Sequence, residues 1–225
     1  MFYRLIKKIE DIIFSLSVLI LFSPLLILIP IISIFVQGFP IFYISKRMIS
    51  DSKEISIIKF RTMVKDAKSK KYDLDKKYMS NGYLDVPLDS QVYTSFGRLL
   101  EKTQLVEVPQ ILHVLLGKIS FIGNRPLPKR NVDILKKKFP DTWQLRFSAP
   151  CGITGITQVT GKFNLDAKQR LELESLYSKV YNNGNILKAD VYIFFSTIIL
   201  ILLRHPSAYR SYNGAKMMLE SCLNK

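Results

Sequence analysis

Between Asp11 and Lys46 the chain carries no charged residue, and from Ile12 to Val36 it is an almost unbroken apolar run. A stretch of about 25 such residues is long enough to cross a bilayer. A signal peptide is the first alternative, with Arg4, Lys7 and Lys8 as its basic start. Against it, the run exceeds the usual apolar core of such a peptide, Glu10 and Asp11 intervene, and no small-residue cleavage site follows. Two features also argue against a simple span. Ser23-Pro24 sits in the middle of the run and Pro30 follows, so backbone hydrogen bonds are lost and the helix should bend there. Basic residues flank both ends, Arg4, Lys7 and Lys8 before and Lys46 and Arg47 after, and the positive-inside rule then places both ends in the cytoplasm. A re-entrant helix broken at Ser23-Pro24, entering and leaving by one face, meets both constraints; a proline-kinked full span is the alternative.

The chain as a whole is strongly basic, with 33 Lys and Arg against 18 Asp and Glu, a net charge of +15, yet 48% of its residues are hydrophobic. Charge of that sign with a positive mean hydropathy of +0.14 fits an anionic membrane surface or phosphorylated substrates better than nucleic acid. Nucleic-acid binding would also call for aromatics interleaved with cations, and no such series is present. Cys151 and Cys222 supply neither a disulfide framework nor zinc spacing, which points to a reducing, cytosol-facing location. His113 has no second ligand at useful spacing and reads as a helix-face or core residue.

Ile55 to Thr62 has strand-like β-branched content, with Lys59 and Arg61 at alternate positions on one face. Lys65 to Asp89 is polar and lacks a period, which predicts a mobile loop. Ser95 to Gln104 predicts a helix with Phe96, Leu99 and Leu100 inside and Arg98 outside, and Val132 to Phe139 a basic helix ended by Pro140. Pro150 to Lys162, with three glycines, predicts tight turns around a short strand; without a Walker-type lysine it is a weak phosphate-loop signal. Asp166 to Val180 predicts an amphipathic helix. Val191 to Leu203, about 13 apolar residues, is too short to span a bilayer and lies in the interface or the core, with Asp190 as its N-cap. The tail adds Arg204, Arg210, Lys216 and Lys225.

Thr103 to Pro128 brings a lone carboxylate, a short helix and a basic turn together. Pro109 suits a first helical turn, so a helix is predicted to start near Glu107, bury Val108, Ile111, Leu112, Val114 and Leu115, and stop at Gly117. Glu107 at the helix start would be held ionised, able to bind a divalent metal or orient a nucleophile. Gly123-Asn124-Arg125-Pro126 reads as a rigid turn presenting a guanidinium that suits phosphate.

Taken in order, the basic start and apolar run with Ser23-Pro24, KFRTM at Lys59 to Met63, FGRLLEKTQLVEVPQ at Phe96 to Gln110, GKISFIGNRP at Gly117 to Pro126 and PCGITGITQV at Pro150 to Val159 resemble the bacterial sugar transferases. These are the monotopic phosphoglycosyl transferases, and the resemblance covers about residues 1 to 200. It implies an α/β, mostly helical fold, with a re-entrant membrane helix and exit segment (1–45), a compact cytosolic domain (46–190) and an apolar interfacial or core helix with a basic tail (191–225). The implied reaction moves a sugar 1-phosphate from a UDP-sugar to undecaprenyl phosphate, starting a surface glycan at the cytosolic face of the bacterial inner membrane, with Mg2+ offsetting the diphosphate charge and downstream glycosyltransferases as further partners. An aspartate-glutamate pair does the chemistry in that family. Here the glutamate is Glu107, implied as catalytic residue and metal ligand; the aspartate position is Val106, Asn124 replaces a usual proline, and Lys118 stands where an acid is common. Lys59, Arg61, Arg98, Arg125 and Gln158 are the implied phosphate-binding residues. Val106 leaves two alternatives open: a transferase in which Glu107 works without its partner, or an impaired relative that binds the lipid phosphate or scaffolds other enzymes.

Overall fold

The computed structural model describes residues 2–67, 69–80, 83–161, 165–203 and 211–224; Lys162, Arg204, Arg210 and Lys225 lie outside them. The apolar run forms a single helix, α1 (Phe2–Gln37), with Pro24 and Pro30 inside it. The helix runs through Ser23-Pro24, with one local contact there. Pro24 has no N–H to give the carbonyl of Ile20, and the Ser23 hydroxyl donates to that carbonyl instead at 3.0 Å. One face of α1 is turned outward, with Ile20 76% and Phe35 85% exposed. Both ends of α1 are tied to the same folded body. Near the start, Lys7 pairs with Asp190, and Asp11 accepts from the Ser120 hydroxyl and the Phe121 N–H. Towards the end, Ile29 packs with Phe60, Leu100 and Val106, and Gln37 accepts from the Thr94 hydroxyl.

β1 (Phe42–Met48) and β2 (Glu54–Phe60) form an antiparallel pair that sets Tyr43 opposite Lys59 and Arg47 opposite Ile55. The polar segment after it is not the loop that its sequence predicts. It holds α2 (Leu74–Tyr78) and a small hairpin, β3 (Met79–Ser80) with β4 (Tyr83–Leu84). Ala67, Val86, Val92 and Tyr93 make a core of their own beside it, and Asp85 pairs with Arg170. Its apolar residues are spaced by turns rather than by a helix or strand period, so periodicity could not find them.

α3 (Ser95–Lys102) is capped by Thr94, whose hydroxyl accepts from the Gly97 N–H. Gly97 is required there, because a Cβ would lie 1.9 Å from the Thr62 carbonyl oxygen. The chain then enters a 3-10 helix (Leu105–Gln110) that runs into α4 (Ile111–Leu115) and ends with Gly117 at φ +65°. The helix therefore begins two residues before Glu107, and of its expected stripe Leu112 and Leu115 face outward while Ile111 and Val114 are buried. β5 (Ser120–Ile122) leads to α5 (Lys129–Lys138), a second 3-10 helix (Trp143–Phe147), β6 (Gly152–Thr154) and α6 (Ile156–Thr160). β5 and β6 are parallel.

α7 (Ala167–Asn182) starts in a capping box built by Asp166 and Gln169. α8 (Ile186–Leu203) begins five residues ahead of the expected apolar stretch, and Asp190 is consequently inside it. Fully buried, Asp190 accepts from Lys7 at 2.5 Å and from the Tyr177 hydroxyl at 2.8 Å, so it is an anchor for α1 and not an N-cap. The tail forms α9 (Tyr212–Leu223), which adds Ala215, Leu219 and Cys222 to the main core with Tyr177 and Ile193.

Candidate active site

The turn after β5 is placed by glycines that touch backbone to backbone. A Cβ on Gly152 would lie 2.2 Å from the Gly123 nitrogen, and one on Gly155 2.0 Å from the Gly123 carbonyl oxygen. Gly123 N–H donates to Thr154, Asn124 N–H to Pro150, and Gly152 N–H to Asn124, all through carbonyls. Gly152 and Gly155, two of the three glycines of Pro150 to Lys162, thus serve close packing against Gly123. Asn124 is buried, and its amide donates to the carbonyls of Arg146 and Glu174 and to the Ser178 hydroxyl. Arg146 is itself fully buried, paired with Glu174 at 2.7 Å, and donates to the carbonyl of Arg125 at 2.7 Å. The Asn124 side chain directly, and the Arg125 carbonyl through Arg146 and Glu174, are therefore tied to α7.

So held, Arg125 meets Glu107. Its Nη2 donates to Glu107 Oε1 at 2.7 Å and its Nη1 to Oε2 at 3.4 Å. The Glu107 charge is the main influence holding the Arg125 guanidinium protonated above its usual range. Lys59 and Arg47 complete a cationic ring. Burial pulls the Lys59 ammonium below the usual lysine pKa; Glu101 and then Glu107 oppose that, while Arg125 and Arg47 add to it. The Lys59 ammonium stands 5.6 Å over the Tyr43 ring. Arg47 is lowered by burial first and by Arg125 second. Three cations and a carboxylate in one half-buried place suit a diphosphate.

Arg61 departs from its expected role. Its Nε donates to the Pro40 carbonyl and its Nη2 to those of Gln37 and Gly38, all at 2.7 Å. The guanidinium is committed to the carbonyls at the end of α1, which have no helical partners of their own. Arg98 is half-buried on α3, apart from these contacts. Ser23 and Pro24 follow Leu21 and Phe22 on α1, a helix long and apolar enough to cross a membrane. Val106 is 2% exposed and sits in the apolar cluster of Ile29, Phe60 and Leu100, with no side-chain atom to offer the site.

Glu107 and Gln158 also line a cavity of ≈ 180 Å³ whose other walls are mostly apolar: Val18, Leu21 and Phe22 of α1, Val108 and Ile111, and Phe194 and Ile198 of α8. The carboxylate thus lies where the cations meet an apolar groove running along α1. Arg47, Glu101, Arg146, Glu174 and the Lys7–Asp190 contact are the parts that sequence reasoning missed. Arg47 alone had a signal, as a basic residue on a strand next to Lys59, but strand pairing was needed to see it. Among the described residues no three His, Cys, Asp or Glu side chains cluster as a metal site. Magnesium keeps its waters and binds largely through substrate phosphates, so one carboxylate would be enough for it; Glu107 would be that carboxylate, giving up one of its two contacts with Arg125. His113 is structural: its Nε2 accepts from the Ile58 N–H at 3.3 Å, and burial with Lys118 nearby lowers its pKa. Cys151 is buried, its thiol pushed up to about 12, and has no thiolate character.

Residues 2–204 match the family described as bacterial sugar transferase. An undecaprenyl-phosphate galactose phosphotransferase of Salmonella typhimurium is 30% identical over 214 residues, covering 92% of this chain and 42% of that protein. A UDP-glucose:undecaprenyl-phosphate glucose-1-phosphate transferase of Klebsiella pneumoniae is 30% identical over 193 residues, 85% of this chain and 39% of its own length. The exopolysaccharide production protein ExoY of Sinorhizobium fredii is 25% identical over 205 residues, 89% of this chain and 87% of that one. This chain spans about two fifths of the first two relatives and most of the third.

Proposed function

The chain belongs to the bacterial sugar transferase family, and from that we propose that it transfers a sugar 1-phosphate from a UDP-sugar to undecaprenyl phosphate, the first step of a surface glycan. The observation that carries this reading is the junction of the ring of Arg47, Lys59 and Arg125 about Glu107 with the apolar groove between α1 and α8. A polyprenyl phosphate has that same division, an anionic head on a long apolar tail, and the UDP-sugar brings a second anion to the same cations. Mg2+ held through Glu107 would offset diphosphate charge when bound. Both ends of α1 fasten to one folded body, which supports a re-entrant helix and a site at the cytosolic face of the inner membrane. Downstream glycosyltransferases would receive the lipid-linked product.

Release of UMP by membrane-inserted protein, given undecaprenyl phosphate, Mg2+ and a panel of UDP-sugars, tests the reading. Release that needs the lipid acceptor and is lost in Glu107→Ala is the expected result. Absence of release with every donor, from folded and inserted protein, would remove it. One observation favours a second reading: Val106 is closed into the core, where the resemblance expects a nucleophile. In that reading the chain is an impaired relative that binds the lipid phosphate or scaffolds partner enzymes, and binding of undecaprenyl phosphate without turnover is its signature.

A further inference from the structure

Transfer between two anionic substrates over one set of cations is easiest if a protein carboxylate takes the sugar phosphate first. The nucleoside monophosphate can then leave before the lipid phosphate enters. Such a carboxylate attacks most readily through an oxygen that is not already paired with a cation. Glu107 has both oxygens held by Arg125, and Val106 has none. Asp85, a third acid acting on Arg125, is paired with Arg170 at 2.6 Å. Glu101 differs from all of these. It lies on α3, directly before the 3-10 helix of Glu107, and is half-buried. Its Oε1 accepts from the Thr62 hydroxyl at 3.0 Å, which fixes the side chain at the end of β2, three residues beyond Lys59. Its Oε2 accepts no hydrogen bond and joins no ion pair among the described residues.

We propose that Glu101 is the second carboxylate of this site and its nucleophile, with the free Oε2 attacking the donor phosphorus. The proposal rests on the transferase reading above. Electrostatics agree with the placement: of the charges acting on Lys59, Glu101 is the strongest, ahead of Glu107, and it also acts on Arg125. In the step, Oε2 bonds to the phosphorus that carries the sugar. The bond from that phosphorus to the bridging oxygen breaks, and its electron pair leaves with the nucleoside monophosphate. An oxygen of the polyprenyl phosphate then attacks the same phosphorus, and the Glu101 carboxylate departs unchanged. Glu107 remains the partner of Arg125.

The sequence permits a direct test, because trypsin cleaves after Arg98, Lys102 and Lys118 and so puts the two carboxylates on separate peptides, Leu99–Lys102 and Thr103–Lys118. The membrane-inserted protein is given UDP-sugar without lipid acceptor, and the acyl phosphate is trapped with hydroxylamine as a hydroxamate, then mapped by mass spectrometry. The expected result is one UMP released per protein and a hydroxamate on Leu99–Lys102. A hydroxamate on Thr103–Lys118, or turnover with acceptor and no hydroxamate on either peptide, overturns the assignment while leaving the transferase reading intact. No turnover with any donor removes that reading and this proposal together. Glu101→Gln keeps an acceptor for Thr62 and should lower kcat by about a thousandfold or more while donor KM stays within about threefold. A matched fall in kcat/KM through KM alone would mark Glu101 as a binding group and overturn the nucleophile role.

Discussion

Arg125 and Glu107 form a two-pronged contact, at 2.7 and 3.4 Å, between a turn fixed by glycines and the 3-10 helix of Leu105–Gln110. The planar fork matters here because it can hold the carboxylate with one edge and offer the other to phosphate. Arg125→Lys keeps the charge and loses the fork, and should lower kcat/KM for UMP release about tenfold or more. Arg125→Ala should lower it further, since the charge is lost as well as the fork. Equal activity of the lysine variant and the wild type would show that charge alone suffices.

Lys59 sets an alkaline limit. Its ammonium titrates below the ordinary lysine value because of burial, with Arg125 and Arg47 adding to the depression. The cation is present below that folded-state pKa and is lost as pH rises through it, so donor binding should weaken on the alkaline side, before an ordinary lysine would titrate. Lys59→Arg, protonated throughout, should abolish that limb of the pH profile. Folding stability runs the other way: between the folded and the unfolded pKa the unfolded chain binds more protons, so the Lys59 contribution to stability rises with pH in that window. A pH profile of donor KM, with denaturation measured in parallel, separates the two.

The Lys7–Asp190 contact is buried on both sides, 3% and 0% exposed, and ties the start of α1 to α8. Removing one member leaves an uncompensated charge, and Lys7→Met should cost about 3–5 kcal/mol. Changing both, Lys7→Met with Asp190→Leu, should return most of that stability, since an apolar pair of similar size replaces buried charges at little net cost. Denaturation in detergent micelles gives the three values. A double variant as unstable as the single would mean that the contact itself, and not the stranded charge, holds α1 in place.

Where the signal is a period or a cap, the sequence was enough. The apolar run became α1, the β-branched stretch became β2, Asp166 capped α7, and Gly117 ended the helix behind Glu107. The Glu107 and Arg125 motifs also met, as their shared stretch implied. What stayed hidden depends on contacts between residues far apart in the chain. Nothing local to Asp190 tells that Lys7, 183 positions earlier, is its partner, so a cap was the simplest local use for it. Arg61 alternates with Lys59 on the strand pattern, yet β2 ends at Phe60, and the chain turns the guanidinium to the end of α1. The ring around Glu107 needed β1 to be laid beside β2 before Arg47 could join it.

The Ser23-Pro24 pair has the most particular chemistry in α1. Ile20 lies four residues before Pro24, so its carbonyl would normally accept from the N–H that proline lacks. The Ser23 hydroxyl fills that place at 3.0 Å. In lipid, where water is not at hand for a stranded carbonyl, Ser23→Ala should cost about 1–3 kcal/mol. Pro24→Ala restores the N–H, and in that background Ser23→Ala should cost less than about 0.5 kcal/mol, a coupling readable as a double-mutant cycle. Thermal unfolding of the four proteins in lipid nanodiscs provides it. If Ser23→Ala costs the same with and without the proline, the hydroxyl does not stand in for the missing donor, and the continuity of α1 across Pro24 must come from packing of Leu25 and Ile29 against Phe60 and Leu100 instead.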